Sequence, residues 1–95
     1  DPFEDFSNIQ VFPNPYEPKD VGSMSIKGLI DGSYVKVTNT SGRLIFEGPS
    51  NGGQFSWTTN GLDGSSAPSG IYLFWVTNPL GTLNTVVQGV IVRGE

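Results

Sequence analysis

Apolar and polar residues alternate along most of this chain with a period of two, in short runs. Ser23-Met24-Ser25-Ile26-Lys27 puts Met24 and Ile26 on one face, and the run from Ser33 to Thr38 does the same with Val35 and Val37. Gln54-Phe55-Ser56-Trp57 points Phe55 and Trp57 inward. Each pattern predicts a half-buried strand. The strongest run, Ser69-Gly70-Ile71-Tyr72-Leu73-Phe74-Trp75-Val76-Thr77, is apolar on both faces and is predicted as the central strand. Tyr72, Phe74 and Val76 form one face and Ile71, Leu73 and Trp75 the other.

Further strands are predicted over residues 8–12, 43–47 and 82–93. The first ends at Phe12-Pro13-Asn14-Pro15, because each proline removes a ladder donor. Asn39-Thr40-Ser41-Gly42 joins two runs closely enough for an antiparallel hairpin with Gly42 at positive φ. Leu29 reads as an apolar plug in a turn, and Gln88-Gly89 as a bulge in the last strand. The spacing of about seven short strands predicts an all-β antiparallel β-sandwich. Its expected core is Ile26, Val35, Val37, Leu44, Trp57, Tyr72 and Phe74. Tyr72 stands where such folds place a tyrosine whose hydroxyl bonds upstream backbone.

Residues 1–7 read as a linker from an upstream domain and 8–95 as a single sandwich domain. Phe3 and Phe6 are large for a free tail and are expected to pack on this domain or on a neighbour. A chain of 95 residues suits one modest core. Starting at Asp1, it reads as a domain cut from a longer protein, whose signal peptide, if any, lies upstream.

Composition narrows function mainly by exclusion. The net charge of −4 opposes binding to nucleic acid or to anionic membrane surfaces. No apolar run approaches membrane-spanning length. The chain has no cysteine and no histidine, which removes thiolate chemistry, disulfides and the commonest general base. Asp31, Glu47 and Asp63 each lie in or beside a turn, where Asp bonds the nearby backbone. Asn14, Asp20, Asp31 and Asp63 lack the spaced loop and bidentate Glu of a calcium site. The expectation is no catalysis, no cofactor and no metal. Attention falls instead on Ile71, Leu73 and Trp75. If their alternates fill the core, these three face away from it and need cover from the N-terminal segment, another copy or a neighbouring domain.

Several stretches, taken in order, resemble a known family. They are Val11-Phe12-Pro13-Asn14-Pro15, then Val35-Lys36-Val37-Thr38-Asn39-Thr40-Ser41-Gly42-Arg43-Leu44, then Trp57 before a Gly-rich loop, Ser69-Gly70-Ile71-Tyr72, and Val90-Ile91-Val92-Arg93. The set is similar to the C-terminal immunoglobulin-like domains of Bacteroidetes type IX secretion proteins, most of all those ending propeller-containing surface proteins. Related modules occur in flagellar-hook-cap-type proteins. The resemblance implies an immunoglobulin-like or fibronectin III-like sandwich and a non-enzymatic role in type IX sorting or cell-surface retention. It implies a secreted or outer-membrane location reached through the periplasm, with the upstream domain and secretion or cell-surface machinery as partners. Val92 and Arg93 then join Ile71, Leu73 and Trp75 as candidate interaction residues. The chain departs from the family where Thr58-Thr59 follows Trp57 in place of Asp-Gly, and where Arg93 stands alone in a last strand that often carries lysines. The second departure favours a retained domain, or a module that merely shares the fold, over a cleaved signal. Two other readings remain open. One is a purely structural accessory domain of an enzyme or sensor. The other is a carbohydrate-binding module using Tyr16, Tyr34 or Trp75.

Overall fold

The computed structural model describes residues 9–12, 14–17 and 23–92. Seven strands follow the predicted order: β1 (Gln10–Phe12), β2 (Met24–Lys27), β3 (Tyr34–Asn39), β4 (Leu44–Pro49), β5 (Gln54–Trp57), β6 (Gly70–Thr77) and β7 (Asn84–Ile91). They form a three-stranded sheet in the order β1-β2-β5 and a four-stranded sheet in the order β4-β3-β6-β7. All strand pairs are antiparallel. The linker assigned to residues 1–7, with Phe3 and Phe6, lies outside the described residues.

The core follows from the alternation. Met24 and Ile26 come from β2, Val35 and Val37 from β3, Phe55 and Trp57 from β5, and Tyr72, Phe74 and Val76 from β6, and all are buried. Leu29 plugs one end of the same cluster. Trp57 sits between the sheets and meets Tyr72 and Phe74 edge-on, with ring centroids 5.5 and 5.9 Å away. That geometry sets ring edges against ring faces, as aromatic quadrupoles favour. Its indole N–H donates to the carbonyl of Asn60 at 2.8 Å, so the buried ring keeps its one polar group satisfied.

Tyr72 makes the expected corner, its hydroxyl donating to the carbonyl of Pro68 at 2.6 Å. This bond anchors the long loop before β6. Tyr72→Phe should cost about 1 kcal/mol in chemical denaturation, the usual net worth of one hydrogen bond. An unchanged midpoint would show that the loop is held by its other contacts alone.

The β3–β4 hairpin also closes as expected. Gly42 has φ +89° and donates to the carbonyl of Asn39 at 3.0 Å, while the Asn39 side-chain oxygen accepts from the N–H of Ser41 and of Arg43. A left-handed residue is needed there, and glycine adopts it without a Cβ clash.

The structure corrects three expectations. Leu44 is not core: it is 39% exposed. The register shifts between Val37, which faces Phe46, and Thr38, which faces Leu44. Ile45 is the extra residue, and one insertion turns every side chain before it to the opposite face. Leu44 therefore faces outward, and Ile45 and Phe46 in succession pack against the core. Secondly, Gln88-Gly89 is not a bulge, because β6 and β7 pair without a break from Gly70↔Ile91 to Thr77↔Asn84. Gly89 is there for close approach. A Cβ on it would lie 2.5 Å from the Phe74 ring. Thirdly, Val86, Val87, Val90, Ile91 and Val92 read in the sequence as holding the last strand to the sandwich, and only some of them do. Ile91 is buried and Val87 packs against the core, whereas Val86 and Val92 are exposed.

Candidate interaction surface

Alternation along β6 has a direct consequence for its second face. Ile71 and Trp75 stand 44% and 45% exposed on the outer side of the four-stranded sheet, with Leu73 half-buried between them. Strand pairing brings more apolar surface beside them. Val86 lies opposite Trp75, and Val90 opposite Ile71. On the other side Lys36 is opposite Trp75 and Thr38 opposite Leu73. The indole N–H of Trp75 donates to the Thr38 hydroxyl at 2.8 Å. Trp75 thus leans across the sheet onto β3, covers Thr38, and offers an indole whose polar atom is already used.

Lys36 faces Glu47 across β3 and β4, and Tyr34, two residues before Lys36 on β3, lies diagonal to Glu47. The pKa of the Tyr34 hydroxyl is raised. Desolvation is the first cause, followed by its hydrogen bond to Glu47 and the negative charge there. Tyr34 therefore stays neutral, and the polar half of this face carries one lysine and one carboxylate. Tyr16 does not share it. That ring is buried in the core cluster, which removes it as an exposed sugar platform.

Val92 is exposed, but its backbone is not open. Its N–H donates to the carbonyl of Tyr16 at 2.7 Å. Arg93 lies outside the described residues. Apart from Tyr16 as a sugar-binding aromatic, the segment Asn14–Tyr16 reads in the sequence only as the exit from the first strand. The structure shows it running along β7, bonding Gln88, Val90 and Val92. Only the opposed prolines hinted at this, since they demand an extended path.

The described acidic residues are dispersed. Among the described residues no three His, Cys, Asp or Glu side chains come together. Asp63 accepts from the N–H and hydroxyl of Ser65 at 3.0 and 2.7 Å, and so caps its own turn. The hydroxyl bond first, then the backbone bond, holds its carboxyl below the ordinary range. This contribution is present above the unfolded pKa and is lost as the pH falls through the folded one. A cleft of about 350 Å³ beside this turn is lined by Arg43, Leu44, Leu62 and Asp63, and no paired carboxylates close it.

Seven antiparallel strands in two facing sheets, a central tryptophan and a tyrosine corner define an immunoglobulin-like, fibronectin III-like sandwich with an apolar outer face. No protein-family model and no curated protein matches the sequence. Among solved structures, the chain is similar to part of PorZ of Porphyromonas gingivalis, described as an essential bacterial surface component of the type-IX secretion system. Identity is 31% and the TM-score 0.82, over 90% of this chain and 12% of PorZ. The chain is thus a small β-sandwich domain homologous to a minor part of a type IX surface protein. Among its described residues no helix is long and apolar enough to cross a membrane.

Proposed function

We propose that this chain is a non-enzymatic domain of a larger secreted or surface protein, acting in type IX sorting or cell-surface retention. Its likeness to PorZ, at 31% identity over 90% of the chain, carries this reading. Because the match spans 12% of PorZ, this domain works beside much larger neighbours. In this reading Ile71, Leu73 and Trp75 dock on a neighbouring domain of the same chain, while Val92 and Arg93 are read by secretion machinery after passage through the periplasm. An apolar, nearly uncharged sheet face suits a lasting contact within one protein better than a transient one.

The accessory-domain reading draws on a different observation. The backbone of Val90 and Val92 is already bonded to Asn14 and Tyr16, which withdraws it from a receptor. One experiment separates the two. Surface and periplasmic amounts of the full-length parent are measured in its own host, for wild type, Arg93→Ala and a deletion of residues 85–95. The sorting role predicts loss of surface protein in the deletion, and reduced surface protein in Arg93→Ala with unchanged thermal stability. Normal delivery of Arg93→Ala removes the charge from recognition. Normal delivery of the deletion leaves the accessory role.

A further inference from the structure

An unpaired sheet edge is a template for another strand, and natural sheets generally blunt theirs. Two sheets have four edges, and three are blunted here. β1 is three residues long and runs straight into Pro13 and Pro15. β5 has its first residue, Gln54, bonded in both directions with Asn51. β4 ends in Pro49, carries Glu47 and the bulge, and has the Ile45 carbonyl bonded to the N–H of Leu62 at 2.9 Å.

β7 is different. It is eight residues long, and residues 82–92 include no charge and no proline. Its C-terminal half is strapped. Asn14 donates to the Gln88 carbonyl and accepts from the Val90 N–H, and Tyr16 bonds the Val90 carbonyl and the Val92 N–H. In a strand the N–H and C=O of one residue point to the same side, and the side alternates. Since Val90 bonds outward to the strap, Gln88, Val86 and Asn84 also point outward. Among the described residues nothing pairs the N–H of Gln88 or either backbone group of Val86 and Asn84.

We infer that this open stretch pairs antiparallel with the same stretch of a second copy of the chain, about a two-fold axis at Val86. Asn84 then faces Gln88 of the second copy, Val86 faces Val86, and Gln88 faces Asn84. Val86 exchanges two hydrogen bonds with its counterpart; in the two outer pairs the Gln88 N–H donates to the Asn84 carbonyl, and the Gln88 carbonyl, which already accepts from Asn14, takes the Asn84 N–H on its second lone pair. A two-fold axis sets every residue near it against its own kind, so a charged edge would repel itself. This edge has no charge to repel. The register is also bounded. β7 begins at Asn84, so the second copy's strand ends where the first copy's strap begins, at Gln88. A shift of two residues in one direction runs that strand into Asn14, and in the other leaves a pair unmade. Val86 lies beside Trp75 on the outer face, so pairing also joins the two apolar strips across the axis. Two four-stranded sheets become one of eight, within the ordinary range. The inference stands on the edge alone and does not depend on the sorting role.

Sedimentation equilibrium of the 95-residue chain tests it, with Val86→Lys and Val86→Pro as variants. The Val86 side chain is 44% exposed and its N–H points away from β6, so neither change touches the core or the β6–β7 ladder. The wild type should dimerise as concentration rises. Val86→Lys should weaken dimerisation at least about tenfold, because two like charges meet at the axis. Thermal unfolding of each variant checks folding. If Val86→Pro proves unfolded, Val86→Lys decides alone. Amide exchange at Asn84, Val86 and Gln88 should slow with concentration in the wild type and not in Val86→Lys. A wild type that stays monomeric at every concentration overturns the inference. So does a dimer that a folded Val86→Lys leaves unchanged.

Discussion

Phe74→Ala should destabilise the domain by about 3–5 kcal/mol, the usual cost of emptying an aromatic core site. The ring is fully buried on the central strand of the larger sheet, and it is where the two sheets meet. Trp57 presses on it edge-on from the opposite sheet, and Gly89 on β7 leaves room for it. Removing the ring takes away burial and contacts to both sheets at once, and the remaining strands are too well paired to close the gap. Urea unfolding, followed by Trp fluorescence, measures the change. A loss below about 1 kcal/mol would mean that the site collapses freely, and that Phe74 does not set the distance between the sheets.

Gly89→Ala is expected to destabilise the same place by overfilling it. The new Cβ would lie 2.5 Å from one atom of the Phe74 ring, 3.1 Å from the next, and 3.2 Å from the Met24 methyl. The ring is penned by Trp57 and cannot swing aside without moving it. Overpacking of this kind costs about 1–3 kcal/mol, even though alanine suits a strand better than glycine. A double-mutant cycle identifies the cause. In a Phe74→Leu background the added methyl has a smaller, more flexible neighbour, so its cost should fall, giving a coupling of about 0.5–3 kcal/mol. If Gly89→Ala costs the same in both backgrounds, the glycine answers to something other than Phe74.

These two residues show where reading the chain succeeds and where it stops. Phe74 was legible as core because it sits in an unbroken alternation on the most apolar run. Gly89 was legible only as a glycine inside a strand, and the bulge it suggested is absent. Nothing local marks a glycine kept for a ring on the neighbouring strand, since the ring lies fifteen positions back in the sequence. Leu44 failed for a related reason. Alternation carried back from Phe46 puts it inside, but the bulge at Ile45 reverses the faces, and that bulge arises from how β4 meets β3.

The candidate surface divides in the same way. The outward placement of Ile71, Leu73 and Trp75 followed from the period of two. The company they keep did not. Val86 and Val90 join them because β7 pairs with β6 in one register, and Tyr34 because β3 pairs on the other side. Tyr16 looked available as an exposed aromatic in a loop, yet it is buried where its segment crosses from one sheet to the other.

Sequence by itself determined the seven strands, the hairpin at Gly42, the tyrosine corner and most of the core. These depend on local alternation, on turn residues with special dihedrals, and on neighbours close along the chain. Tertiary structure alone decided which strands became edges, that Asn14 and Tyr16 close half of β7, and that among the described residues the backbone of Asn84 and Val86 and the N–H of Gln88 find no partner. Pairing between strands far apart in sequence is set by how two twisted sheets jointly bury Trp57 and Phe74. No single stretch of the chain carries that information.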